Sequence, residues 1–123
     1  MIRHAGTIAR LRLGRASGGR SAAAEAFVAA CARAGVVAEV PPDIGRSLWE
    51  KFVLLSAFSG LTALCRLPIG PIRENPASRE VLRRAMEETA AVGRARKANL
   101  PEDVVERQMK FADGLPADSV SSM

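Results

Sequence analysis

The apolar stretch 48–64 constrains the fold most, because its single basic side chain, Lys51, lies near the start of a predicted helix. Helical spacing places Leu55 four residues and Ser59 eight residues after Lys51, so the three side chains follow one line along that helix. A lysine held out of water there loses its preference for the charged form and can exchange protons at neutral pH. Alternatively, the lysine stem lies along the core and the ammonium group stays in water, as for most lysines.

The first part of the chain combines strand and helix signals. Arg10 and Arg12 alternate with apolar residues, which predicts a strand with one solvated face. Ser21 is a suitable N-cap for an alanine-rich helix, and Gly35 is a suitable stop. Pro41 ends the segment that follows. The predicted elements are a strand over 7–13, a helix over 22–34 and a strand over 36–40.

From residue 43 onward the pattern is helical. Asp43 is expected to cap a helix over 44–66 that is apolar on most sides and therefore central in its bundle. Breaks at Pro68, Gly70 and Pro71 end it. A second helix begins at Asn75 and runs to about residue 98, with a core stripe of Val81, Leu82, Ala85, Met86, Thr89, Val92 and Gly93. A third begins at Pro101, ends near 114–116, and buries Val104, Val105, Gln108, Met109, Phe111 and Ala112.

Several short motifs occur in a fixed order along the chain. They are Asp43-Ile44, Leu48-Trp49-Glu50-Lys51, Leu61-Thr62-Ala63-Leu64, Pro68-Ile69-Gly70, Asn75-Pro76 and Ser121-Ser122-Met123. In this order they resemble the C-terminal domain of the ketopantoate reductase (2-dehydropantoate 2-reductase) family, over nearly the whole chain. The resemblance implies a mainly α fold of the 6-phosphogluconate-dehydrogenase-like helical-bundle type. It also implies two domains: residues 1–42, a strand-helix-strand remnant of a cofactor-binding domain, and residues 43–123, a helical substrate and dimerisation domain that is incomplete at its C-terminus.

The resemblance also implies a reaction and a set of site residues. Members of this family reduce a branched 2-oxo acid to the 2-hydroxy acid with NADPH, in pantothenate biosynthesis, and the lysine at the position of Lys51 acts as general acid. Ser122 matches a serine that hydrogen-bonds the substrate, in a segment that also holds Ser119 and Ser121. Ser59 could donate one further hydrogen bond. On spacing alone, three serines so near a terminus favour a disordered tail over a binding site.

The chain departs from the family pattern in the substrate pocket. Leu55, Ser59 and Ile69 stand where the family carries asparagines. Leucine and isoleucine cannot replace the lost hydrogen bonds, so polar groups of a buried substrate would lack partners. A more apolar 2-oxo acid is therefore as good a candidate as ketopantoate itself.

No Gly-x-Gly-x-x-Gly turn for a dinucleotide occurs in these 123 residues, and the glycines of 14–19 have the wrong spacing. A glutamate that the family supplies beyond the last residue is also missing. The chain thus resembles an enzyme truncated at both ends, and we expect it to bind no NADPH and to be inactive in isolation. Two alternatives are a noncatalytic helical module that dimerises or binds a partner through Phe52, Phe58 and Leu61, and a separate nucleotide-binding chain that completes the enzyme.

Charge and cysteine content exclude other classes. The net charge is +5, and five arginines precede the first acidic residue, Glu25. Nucleic-acid binding is not expected, because no aromatic residues accompany these arginines. Cys31 and Cys65 lie in apolar helical runs and are predicted to be buried, and a single histidine argues against a metal site. With no leader and no apolar run beyond 52–65, we expect a cytoplasmic protein that does not enter a membrane.

Overall fold

The computed structural model describes residues 10–121 and divides between Ser47 and Leu48 into two compact units. The first unit contains two short strands and one helix, and the second contains the helices that form the main core. The structure confirms the predicted mainly helical fold, and its two short strands pair in a small parallel sheet. The predicted 42/43 domain boundary stays a prediction.

In the first unit, strand β1 (Arg10–Arg12) pairs in parallel with strand β2 (Val37–Glu39), and helix α1 (Ala22–Arg33) connects them. Ser21 caps α1 as predicted, since its Oγ accepts a hydrogen bond from the Ala24 N–H at 3.3 Å. Gly35 follows the helix with a positive φ of 71°, a conformation that glycine adopts at no steric cost. Both strands are shorter than predicted, and the part of the first prediction before Arg10 lies outside the described residues.

The second unit is built on four helices, the first of which starts four residues before Leu48. Helix α2 (Ile44–Cys65) begins after Asp43, whose Oδ1 accepts the Arg46 N–H at 2.8 Å. The others are α3 (Ile69–Glu74), α4 (Pro76–Ala95) and α5 (Val104–Asp113). Asn75 caps α4 as predicted, because its Oδ1 accepts the N–H groups of Ala77 and Ser78.

Helix α3 was not predicted, although its residues lie in the segment expected to break the preceding helix. Arg66 adopts a positive φ of 53° and ends α2, but Pro68 then serves as the N-cap of a new helix. Pro71 lies within the first turn of α3. A proline is tolerated there because the first-turn N–H groups have no helical acceptor.

The core of the second unit combines side chains from all four helices and the loop before α5. Its members are Val53, Leu54, Ala57, Phe58, Leu61, Ile69, Ile72, Leu82, Met86, Ala90, Leu100, Val104, Val105, Met109 and Ala112. Two contacts join α2 to α4: the Ser56 and Thr89 hydroxyls are 2.9 Å apart, and Gly93 lies against the ring of Trp49. These contacts hold α2 with one side in the core.

Several predicted core positions are wrong. Val81 and Val92 are half exposed, because the line that faces the core runs through Leu82, Met86, Ala90 and Gly93 instead. A rotation of about 100° per residue is enough to carry an immediate neighbour of that line to the helix flank. Phe111 is likewise exposed, and Gln108 is only partly buried.

Helix α2 is buried on one side only, which corrects the prediction of a central helix. Phe58 and Leu61, expected on an exposed face, are buried at 8% and 7% relative exposure, whereas Phe52 is exposed at 53%. Cys65 is exposed rather than buried, while Cys31 is buried as predicted. By length and hydropathy alone α2 would also be able to span a membrane, a property that it shares with core helices of globular proteins.

Candidate functional site

A groove of about 680 Å³ runs along the middle of α2. One wall comes from α2 and the other from the segment after α5. The lining residues are Phe52, Leu55, Ser56, Phe58, Ser59, Gly60, Val120 and Ser121. Most of these side chains are apolar, and the polar groups are serine hydroxyls. Such a mixture of an apolar lining with a few polar groups is typical of sites for small organic ligands.

Lys51 is exposed on α2, one helical turn before Leu55 and two turns before Ser59. Both of these later residues line the groove, and Lys51 precedes Leu55 by about 6 Å along the helix axis, at 1.5 Å per residue. The structure therefore corresponds to the alternative in which the lysine ammonium group stays in water. Its predicted role as general acid stays a prediction.

Two of the predicted serines are brought together. Ser121 Oγ donates a hydrogen bond to Ser59 Oγ at 2.9 Å, although the two residues are 62 positions apart. Ser59 is buried and Ser121 partly buried, and both line the groove. This pair places two hydroxyl groups beside an otherwise apolar surface.

Ser119, a third predicted serine, does not line the groove. Ser119 contributes its backbone: its carbonyl oxygen accepts the Ile69 N–H at 2.9 Å, and its N–H donates to the Pro116 carbonyl at 3.0 Å. Ser122 lies outside the described residues. The role of Ser119 is thus to tie the C-terminal segment to the start of α3.

A second backbone hydrogen bond supports the same attachment. The Gly70 N–H donates to the Ala117 carbonyl at 2.9 Å, next to the bond between Ile69 and Ser119. These donors belong to the first turn of α3, where backbone N–H groups have no partner inside the helix. The segment 117–121 is therefore an ordered strap across the start of α3 and not a free tail.

Arg73 and Arg79 hold the end of α5, from which this strap leaves. Arg73 Nη1 lies 3.0, 2.9 and 2.7 Å from the carbonyl oxygens of Ala112, Asp113 and Leu115. These carbonyls belong to a helix end, where they lack helical donors. Arg79 forms two hydrogen bonds with the Asp113 carboxylate, and this pairing lowers the pKa of Asp113 below its usual value.

The three residues that replace asparagines of the family differ in their surroundings. Leu55 and Ser59 line the groove, whereas the Ile69 side chain is fully buried in the core. Ile69 therefore cannot contact a ligand in the groove as the molecule stands. Ser56, which was not singled out in the sequence, also lines the groove, but its hydroxyl lies 2.9 Å from that of Thr89.

Sequence reasoning also missed the contacts of Gly70 and Arg73 with the C-terminal segment. The sequence indicates Gly70 only as part of the motif Pro68-Ile69-Gly70 and as a helix break, and nothing in it singles out Arg73. Within residues 10–121 no cluster of three or more histidine, cysteine, aspartate or glutamate side chains could hold a metal ion. The groove is thus a site without acidic or metal-ligating groups among its described lining residues.

Comparison with known proteins relates this arrangement to one family. Residues 43–123 match the family model described as the C-terminal domain of ketopantoate reductase PanE/ApbA. The 2-dehydropantoate 2-reductase of Methylococcus capsulatus is 30% identical with a TM-score of 0.82, over 91% of this chain and 36% of that one. A PanE/ApbA family ketopantoate reductase of Ralstonia eutropha JMP134 is 32% identical with a TM-score of 0.72, over 83% and 34% of the two chains.

A dimeric ketopantoate reductase of Staphylococcus aureus shares the fold, with a TM-score of 0.82 at 22% identity, over 94% of this chain and 38% of that one. No curated protein matches the chain. The chain spans about a third of the length of the solved relatives. Because the family model covers residues 43–123, well over half of the sequence, the chain belongs to the ketopantoate reductase family and carries its C-terminal domain.

Proposed function

We propose that this chain supplies the substrate-side part of a ketopantoate-reductase-like oxidoreductase, which reduces 2-dehydropantoate or a related 2-oxo acid to the 2-hydroxy acid. One observation carries the proposal: the line Lys51, Leu55, Ser59 on α2 leads from an exposed ammonium group into an apolar groove with two hydroxyls. This order suits a substrate with a reactive carbonyl at one end and an apolar body.

Lys51 has the chemistry that this reaction requires at the carbonyl oxygen. When a hydride adds to the C2 carbonyl carbon, negative charge develops on the oxygen. An ammonium group beside it stabilises that charge and donates a proton, which completes the hydroxyl group. The neutral amine then regains its proton from water. A solvent-exposed position suits this second step.

NADPH supplies the hydride in this family, but the described residues do not fit a dinucleotide. The glycines at 14, 18 and 19 precede α1, where a pyrophosphate would have to bind. Ser21 Oγ already accepts a hydrogen bond at that helix start, and the Arg20 guanidinium is paired with Glu25 at 2.9 Å. We therefore expect any nucleotide site of the working enzyme to lie outside residues 10–121.

The groove lining favours a 2-oxo acid with an apolar side chain. Leu55 and Phe52 offer no hydrogen bond, and the Ser59 and Ser121 hydroxyls already bond each other. A hydroxyl group on the substrate would lose its water without a full replacement, which costs about 1–3 kcal/mol. Substrates of the same shape without that hydroxyl avoid this cost.

A chimeric enzyme tests the role of Lys51. Residues 43–123 would replace the matching segment of the Methylococcus capsulatus 2-dehydropantoate 2-reductase, and NADPH oxidation would be followed with several 2-oxo acids. We expect turnover by the chimera and none by the 123-residue polypeptide alone. Lys51→Ala should lower kcat of the chimera by about 10²- to 10⁴-fold, the range for a general acid. Lys110→Ala, which changes an exposed lysine on α5, should leave kcat unchanged.

Two results would contradict the proposal. The first is a Lys51→Ala chimera with parental kcat. The second is a chimera that is folded by circular dichroism and binds NADPH but reduces no 2-oxo acid. Turnover by the 123-residue polypeptide alone would show that it contains a nucleotide site that its described residues do not reveal.

A further inference from the structure

We infer that Gly70 and Arg73 are positioning residues, which hold the C-terminal strap so that the Ser121 hydroxyl reaches the groove. That the Ser121 hydroxyl contacts a substrate rests on the proposed function. The position of the strap that carries Ser121 follows from contacts with α3 and α5. Ser121 reaches the groove together with its neighbour Val120. Its position depends on how the strap, residues 117–121, is attached upstream.

Gly70 controls how closely the strap can approach α3. A Cβ atom at this position would lie 2.9 Å from both the Cβ and the carbonyl oxygen of Ala117. Separations below 3.0 Å force a shift, and here one of the two obstructing atoms is backbone. The Gly70 backbone is helical, so its dihedral angles are compatible with any residue that carries a side chain. The glycine is therefore required by the neighbouring strap and not by its own dihedral angles.

Arg73 controls where the strap begins. Its Nη1 lies within 3.0 Å of three carbonyl oxygens, the last of which belongs to Leu115, two residues before the strap. A charged donor shared among the end carbonyls of α5 fixes the direction in which the chain leaves that helix. Arg73 therefore fixes where the strap begins, and Gly70 fixes how closely the strap packs against α3.

A disulfide trap measures this placement without any substrate. Ser59→Cys and Ser121→Cys would be combined in a chain whose own cysteines are removed by Cys31→Ala and Cys65→Ser. The parent hydroxyl oxygens are 2.9 Å apart, so the two introduced cysteines lie within reach of a disulfide. We expect rapid cross-linking on mild oxidation. Gly70→Ala and Arg73→Ala should each lower the rate of disulfide formation by about tenfold or more, because a small displacement sharply lowers the rate at which two tethered thiols meet.

Controls separate positioning from general destabilisation. Glu74→Ala alters an exposed residue of α3 and should leave the cross-linking rate unchanged. Arg73→Lys keeps the charge and should restore part of the rate lost in Arg73→Ala. The urea midpoint of each variant is measured in parallel, since a positioning effect lowers the cross-linking rate while the midpoint stays near that of the parent.

The outcomes are distinct from those of the proposed function. A Ser59/Ser121 cysteine pair that does not cross-link, or one that cross-links at parental rate in both Gly70→Ala and Arg73→Ala, would overturn the inference. If Gly70→Ala fails to fold, hydrogen exchange of the Ile69 and Gly70 amides is measured in Arg73→Ala instead. Faster exchange than in the parent supports the inference, and exchange at the parental rate refutes it. Since no substrate is present, an inactive chimera would leave these results unaffected.

Discussion

Replacing Gly93 by alanine tests the contact that holds α2 against α4. A Cβ atom at Gly93 would lie 2.8 Å from Leu100 Cδ1 and 2.9 Å from Trp49 Cε3. Both distances are too short, so a neighbouring group must move. Leu100 Cδ1 is the end of a flexible side chain and can rotate, whereas the Trp49 ring is rigid and packs against the core.

The expected free-energy change combines two opposing effects. Alanine is favoured over glycine inside a helix by about 1 kcal/mol. Inserting a methyl group into a packed contact costs about 1–3 kcal/mol. Because only one of the two neighbours can yield easily, we take a cost of about 2 kcal/mol, which leaves a net loss of about 1 kcal/mol in the free energy of unfolding.

Gly60→Ala is the matched control. Gly60 also lies within a helix, but no heavy atom lies within 4 Å of the position that its Cβ would take. This variant should gain about 1 kcal/mol from helix propensity alone. Urea unfolding followed by Trp49 fluorescence would measure both changes against the parent. If Gly93→Ala proved as stable as Gly60→Ala, the inferred packing of Trp49 on α4 would be wrong.

The remaining predictions concern specificity and pH. In the chimera, Leu55→Asn should raise the ratio of kcat/KM for 2-dehydropantoate to kcat/KM for its analogue without the hydroxyl group by about tenfold. The reason is that an amide, which can form hydrogen bonds, replaces an aliphatic side chain in the groove. An unchanged ratio would argue that Leu55 does not contact the substrate. Because Arg79 lowers the pKa of Asp113, this carboxylate stabilises the fold above its unfolded pKa of about 4 and loses that effect as pH falls through the lower folded value. Asp113→Asn should therefore cost up to about 1 kcal/mol at pH 7, because the pair is partly exposed, and the difference from the parent should shrink below about pH 4. Urea midpoints across this pH range test it, and a gap that widens in acid would contradict the assignment.

The starts of α1, α2 and α4 were predictable from the sequence because they depend on residues only a few positions apart, whereas α5 begins at Val104, three residues after the predicted Pro101. Ser21, Asp43 and Asn75 each accept a backbone N–H from two or three residues further along the chain, as predicted. Helix α3 was missed because proline and glycine are equally compatible with a break and with a first helical turn.

The faces of the helices were less predictable. Val81 and Leu82 are neighbours of similar hydrophobicity, yet one is half exposed and the other is fully buried. The choice between them depends on which side of α4 meets α2 and α5, and an apolar pattern that is broad rather than narrow does not determine that side.

By itself, the sequence determined the family, the starts of α1, α2 and α4, and the line of Lys51, Leu55 and Ser59, because motif order and helical spacing are local properties. Only the tertiary structure decided that Ser121 meets Ser59 and that Ile69 is in the core. The physical reason is that a contact across 62 residues depends on the path of the chain between them. That path is set by the backbone hydrogen bonds of α3 and by the carbonyl groups bound to Arg73.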